Sequence, residues 1–156
     1  MYGVDKITVT EDASLITFSK IPADLRLISE IFLRFGEAGI DIDMISQSAP
    51  KGENTSVSFT VGSEKLVQVL ELINEFREEH PSIKPLIAGG NVKIQLYGEQ
   101  MPGTPGIAAR ALAALAKTKC DLMLITTSEV DISLLVTSAH LGDALRVLRE
   151  EFALES

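Results

Sequence analysis

The chain repeats itself, and that constrains its fold more than any other feature. Asp41 to Ser48 reads DIDMISQS, and Asp121 to Ser128 reads DLMLITTS. Each octet follows a helical pattern and precedes an alternating run, VSFTV from Val57 in one case and ISLLV from Ile132 in the other. Each run leads into a second helical pattern that closes on an acidic residue and a phenylalanine: LVQVLELINEF to Phe76, and LGDALRVLREEF to Phe152. Order, spacing and chemistry recur together, so the fold must consist of two versions of one unit.

Apolar spacing places the helices. Leu27, Ile28, Ile31, Phe32 and Phe35 form one stripe, and Leu66, Val69, Leu70, Ile73 and Phe76 a second. Ala108, Ala111, Leu112 and Leu115 form a third, and Leu141, Leu145, Leu148 and Phe152 a fourth. All four read as core-facing. Strand patterns fall at Lys6–Thr10, Ser14–Ile21, Ile40–Ser48, Thr55–Val61, Lys84–Ala88, Val92–Gly98, Leu122–Val130 and Asp131–Thr137.

Each half therefore reads strand, helix, strand, strand, helix, and needs a closing strand. The first half finds one in IKPLIA; the second ends at EEFALES, with no strand after its helix. The leading KITVTE has no helix to serve, so it is expected to cross and complete the second half. The predicted class is α+β: two βαββαβ units, antiparallel sheets with helices on one face. The first unit is expected over 12–90, and the second over 91–156 plus the strand 4–11.

Composition narrows the function. With 46% apolar residues in 156, a real core is available. A formal net charge of −8 argues against nucleic acid and anionic membrane surfaces as partners. The lone Cys120 reads as a small core residue, and with no secretion signal a reduced, cytoplasmic setting is expected. The apolar run IAARALAALA is too short to span a bilayer. His80 and His140 lack a nucleophile or carboxylate partner in sequence and read as capping or surface residues. There is no Cys/His cluster, so no metal is expected, and Gly89-Gly90 and Gly103–Gly106 fit neither phosphate-binding fingerprint. Catalysis and cofactors are not expected.

The segments AGIDIDMISQS, NTSVSFTV, GTPGIAARALAALA and LITTSEVDISLLV together resemble the paired ACT domains of the regulatory C-terminal part of aspartokinases. That resemblance covers nearly the whole chain, including the spare leading strand, and its most specific segment is TTSEVDISLLV. It implies two ferredoxin-like ACT units, a homodimer in which the first unit of one chain lies beside the second of the other, and a free amino acid of the lysine or threonine class bound at those junctions. A separate kinase catalytic subunit, controlled in trans, is the alternative partner it implies; the kinase domain itself is absent from this sequence.

It also implies two kinds of pocket. On the second unit, Thr104 reads as a helix N-cap, Pro105 as the first helical residue and Gly106 as the point of close backbone approach. Free amides around Gly106, Ile107 and Ala108 would then suit an α-carboxylate. Ser128 and Glu129 would flank the ligand, and Asp41, Ile42 and Asp43 would approach from the partner. Asp41, Asp43 and Glu129 are either partners of an ammonium group or solvated strand-end acids. On the first unit, Leu25 and Arg26 replace the family's Pro-Gly turn, while Asp121, Leu122 and Gln47 still match its surroundings. Gln47 is either part of that remnant or a surface strand residue. Arg26 either meets a carboxylate or pairs with a neighbouring acid. One working pocket type per chain is expected.

Overall fold

A computed structural model describes residues 2–155; Ser156, the last residue of the second expected unit, lies outside them. The chain divides into two compact units. One is Asp12–Gly89, here the N-terminal unit; the other joins the residues up to Glu11 with those from Gly90 onward, here the C-terminal unit.

The N-terminal unit is built from β1 (Lys6–Pro22), α1 (Leu25–Glu37), β2 (Ile45–Gln47), β3 (Asn54–Gly62), α2 (Leu66–Glu79) and the start of β4 (Pro85–Tyr97). Its strands run in the order β2-β3-β1-β4. β3 pairs antiparallel with both flanking neighbours, Leu15 facing Thr60 on β1 and Gln47 facing Val57 on β2. Period-two alternation in VSFTV sends Val57, Phe59 and Val61 to one face, where they meet Leu27, Ile31, Phe35, Val69, Ile73 and Phe76 from the helices. Phe59 sits at the centre, its ring 5.3 Å from that of Phe32 and 5.5 Å from that of Phe35. The helices run antiparallel, with the Gln68 amide donating to the Ala38 carbonyl at 3.2 Å.

The C-terminal unit uses the beginning of β1, the rest of β4, α3 (Ile107–Leu115), β5 (Leu122–Thr127), β6 (Asp131–Thr137) and α4 (Leu141–Glu151), with strand order β1-β4-β6-β5. Ile94 faces Leu134 and Leu96 faces Ile132 across the β4–β6 ladder. These side chains pack with Ala111, Leu115, Ala144, Leu148 and Phe152, and with Val4, which is fully buried. The N-terminal strand completes this unit: the Asp5 amide donates to the Tyr97 carbonyl at 2.7 Å.

Several boundaries differ from the sequence expectation for identifiable reasons. Two expected strands merge into β1, and two more into β4. At each join one residue, Asp12 (φ 54) or Gly90 (φ 71), takes a left-handed turn inside the strand. Of the expected strand 40–48, only Ile45–Gln47 pairs in regular register; ahead of it Asp43 and Met44 both oppose Thr60, whose carbonyl accepts from the Asp43 amide at 3.2 Å and whose hydroxyl accepts from the Met44 amide at 3.0 Å. β5 stops at Thr127 because the Ser128 hydroxyl caps the turn, accepting from the amides of Val130 and Asp131, each at 3.2 Å. Leu112, placed in the core stripe by spacing, is 40% exposed; Ile107, Ala111, Ala114 and Leu115 form the buried face of α3.

Val4→Ala is expected to lower the stability of the C-terminal unit by about 1.5–3 kcal/mol, read from denaturant unfolding. An unchanged midpoint would show that the N-terminal strand contributes nothing to that core.

Candidate functional site

The two units expose their first helices differently. α3 does not begin as the sequence suggests. Met101–Gly103 winds into a short 3-10 turn whose last link is the Thr104 amide, and the Thr104 hydroxyl donates back to the Gln100 carbonyl at 2.9 Å. Thr104 therefore closes that turn and is not the N-cap of α3, and Pro105 lies outside the helix. The cap is Gly106, at φ 88, a left-handed conformation that a Cβ disfavours. Its backbone is exposed, and a Cβ built there would meet no described atom within 4 Å. The first intrahelical bond runs from the Arg110 amide to the Gly106 carbonyl at 3.0 Å. The amides of Ile107, Ala108 and Ala109 precede it and have no intrahelical acceptor, and no side chain caps them.

The start of α1 carries its own carboxylate. Asp24 is the N-cap, and its Oδ1 accepts from the Arg26 amide at 3.0 Å. The adjoining cleft, 280 Å³ in volume, is lined by Pro22, Asp24, Arg26, Leu27, Glu30 and His80. A ligand carboxylate arriving there meets two acids and an amide already engaged. Arg26 is exposed and points to no ion pair among the described residues, and Leu25 is 77% exposed. The signal for Asp24 is present in the sequence, since an aspartate just before an apolar-periodic run favours the N-cap.

In the C-terminal unit, the start of α3 and the turn between β5 and β6 are tied to one framework. The Gly98 amide donates to the Val130 carbonyl at 2.8 Å, and Gly3 packs against Gly98, Thr104 and Ile107. Ser128 and Glu129 are exposed at this turn. The Ser128 oxygen already accepts two amides, so its hydroxyl hydrogen is what remains for a ligand. Arg110, one turn into α3, is fixed by Glu151: its Nε donates to Oε1 at 2.8 Å and its Nη2 to the Glu151 carbonyl at 2.9 Å. Nearby, the Tyr97 hydroxyl donates to Glu99 at 3.2 Å, and the Glu99 charge, then burial, pushes the phenol above its ordinary range.

The remaining sequence-predicted residues stand elsewhere. Asp121 and Leu122 open β5, at the opposite end from Ser128, about 20 Å away along a six-residue strand. Both are exposed, and the Asp121 carbonyl accepts from Thr137. Asp41, Ile42 and Asp43 form the extended lead into β2 and Gln47 its last residue; the two acids and Gln47 are exposed, while Ile42 packs on the core. Among the described residues no group of three or more His, Cys, Asp or Glu side chains is placed to hold a metal ion, and no helix is long and apolar enough to cross a membrane. Cys120 is half-buried against the C-terminal core, and that burial, followed by the Asp121 charge, pushes its thiol up.

Two measurements check this geometry. Asp24→Ala is expected to cost about 1 kcal/mol of stability in the N-terminal unit, read by denaturant unfolding. Cys120, with its thiolate disfavoured, is expected to alkylate with iodoacetamide more slowly at pH 8 than a free thiol, and to speed up in guanidinium.

Residues 94–152 match the ACT domain family model. An aspartokinase from Geobacillus stearothermophilus is 27% identical over 148 residues, covering 95% of this chain and 35% of the relative. The chain thus spans about a third of the length of the curated aspartokinases it matches. The regulatory subunit of aspartate kinase from Thermus thermophilus, in a ligand-free form, superposes with a TM-score of 0.86 at 26% identity, covering 96% of this chain and 99% of that one. A structure of aspartokinase alpha and beta subunits contains a chain matched with a TM-score of 0.87 at 26% identity, covering 97% of this chain and 99% of that one. Residues 94–152 thus match an ACT domain, and nearly the whole chain is similar in sequence to a part of aspartokinases and in fold to the regulatory subunit of aspartate kinase.

Proposed function

We propose that the protein is a non-catalytic regulator that binds a free amino acid at the start of α3. The observation that carries this reading is the contrast between the two helix starts. α3 is capped by an exposed glycine and leaves its first amides without a side-chain acceptor, whereas α1 is closed by Asp24. Three amides at the positive end of a helix dipole suit a carboxylate and contribute up to about 2 kcal/mol in a partly buried geometry. Glu129 on the neighbouring turn, and Asp41 and Asp43 supplied by a second copy in a homodimer, would meet the ammonium group. In this reading Ile42 of that copy approaches the ligand with them, while its side chain stays on its own core. Asp121, Leu122 and Gln47 belong to the first-unit pocket, which Asp24 keeps shut.

Occupancy would order the turn and shift the population of dimer states, which is how a coupled partner would sense it. The setting proposed is cytoplasmic, where free amino acids and their biosynthetic enzymes meet. For a ligand of about ten heavy atoms, micromolar affinity asks for about 0.8 kcal/mol per atom, inside the ceiling for small ligands.

A second reading has a specific observation in its favour: the chain covers nearly the full length of a free-standing aspartate kinase regulatory subunit. In that reading it confers feedback control by lysine or threonine on a separate kinase catalytic subunit. Affinity capture from the native cell separates the two, because a self-sufficient sensor retains no kinase.

Calorimetric titration with each of the common L-amino acids is expected to give saturable heat with at least one. Folded protein with no heat from any of them would sink the proposal. Gly106→Asp is expected to weaken that binding more than tenfold, since its carboxylate would compete for the same amides, at a folding cost of about 1–2 kcal/mol.

A further inference from the structure

The segment ahead of β1 occupies an unusual place. Gly3, at φ 92, lies where a Cβ would run into the Ile107 side chain and crowd Thr104. Gly98 lies where a Cβ would overlap the Gly3 carbonyl oxygen. Backbone meets backbone at Gly98, which the approach of Gly3 requires to be a glycine, whereas Gly3 is required by its own left-handed φ and by the Ile107 and Thr104 side chains. On one side of this joint Ile107 opens α3; on the other the Gly98 amide holds the β5–β6 turn through the Val130 carbonyl at 2.8 Å. Two hydrogen bonds fix the segment to the end of β4 and to Glu99 just beyond it: Asp5 N–H to the Tyr97 carbonyl at 2.7 Å, and Glu99 N–H to Asp5 Oδ2 at 3.1 Å. Tyr2 sets the other end, its ring 5.0 Å from the Arg110 guanidinium, which also lies 5.1 Å from the Phe152 ring.

We propose that Gly3 and Gly98 are positioning residues of the amino-acid site. Packed between Ile107 and the β5–β6 turn, they set the separation of its two walls, and Tyr2 on Arg110 holds Gly3 in that place. This rests on the reading of the α3 start given above. Neither glycine touches the ligand; each acts through the residue it supports, Ile107 on one wall and Val130 on the other. Because coupling free energies are reciprocal, a ligand that fixes the walls also fixes Tyr2 and Gly3, and a disturbance of that segment lowers ligand affinity. The leading segment is then both a strap on the site and a reporter of its occupancy.

The chain has two tyrosines and no tryptophan, so Tyr97→Phe leaves Tyr2 as the sole emitter. The test is calorimetry and tyrosine emission on this variant of the 156-residue chain, titrated with each of the common L-amino acids. Emission from Tyr2 is expected to change saturably, with the same midpoint as the heat. Gly3→Ala in the same background is expected to bind at least about fivefold more weakly while keeping a cooperative thermal transition. If Gly3→Ala fails to fold, Tyr2→Ala, an exposed change, carries the same expectation, read by heat alone. Saturable heat with flat Tyr2 emission, or unchanged affinity in these variants, overturns the positioning role and leaves the binding site standing. Absence of heat from every amino acid removes the site and this role with it.

Discussion

The structure depends on β1 serving two cores. Its first residues, with Val4 ahead of them, finish the C-terminal unit, and the stretch from Asp12 onward lies inside the N-terminal one. β4 divides in the same way, with Gly90 at its break. The residue at each break takes positive φ, so the strand turns without surrendering its ladder. A strand shared by two cores cannot slip by one residue without turning both hydrophobic faces outward. Register is therefore fixed twice over, and the turns at the strand ends are held where the chemistry needs them.

The internal repeat lets the two units be compared position by position, and their helix starts differ. Both present a helix start after their first long strand, with a turn between two strands beside it. In one unit an aspartate side chain satisfies the helix start, and the site is filled from within. In the other a left-handed glycine leaves the amides open, and a tight backbone joint of Gly3, Gly98 and Ile107 braces them. One carboxylate, that of Asp24, closes the start of α1, and α3 has no side chain in its place. Net acidity fits the same picture, because an ammonium group is welcome near exposed Glu129 and a polyanion is not.

Much of this was legible in the sequence. The repeat alone gave the unit order, the alternating VSFTV and ISLLV gave the faces of β3 and β6, and the missing last strand sent KITVTE to the C-terminal unit. What was not legible has local causes. Whether two strand patterns join depends on one residue's φ at Asp12 or Gly90, which no periodicity reports. The cap of α3 moved from Thr104 to Gly106 because MPG winds into its own 3-10 turn, a tertiary choice that the two Pro-Gly steps leave open. Leu112 fell out of the core because the helix phase is set by Ile107 and Ala111, and a stripe rich in alanine defines that phase weakly. Asp24 carries a legible cap signal, but the altered Leu25 and Arg26 beside it draw the eye to the missing Pro-Gly turn. The joint of Gly3 and Gly98 brings together positions far apart in sequence, which no local pattern reveals.

The most direct test of the central claim is to follow backbone amide resonances of the intact chain during titration with free amino acids. Gly106, Ile107 and Ala108 are expected to move in a saturable way, while Arg26 and Leu27 at the closed start of α1 stay still. Movement at α1 with none at α3 would contradict it.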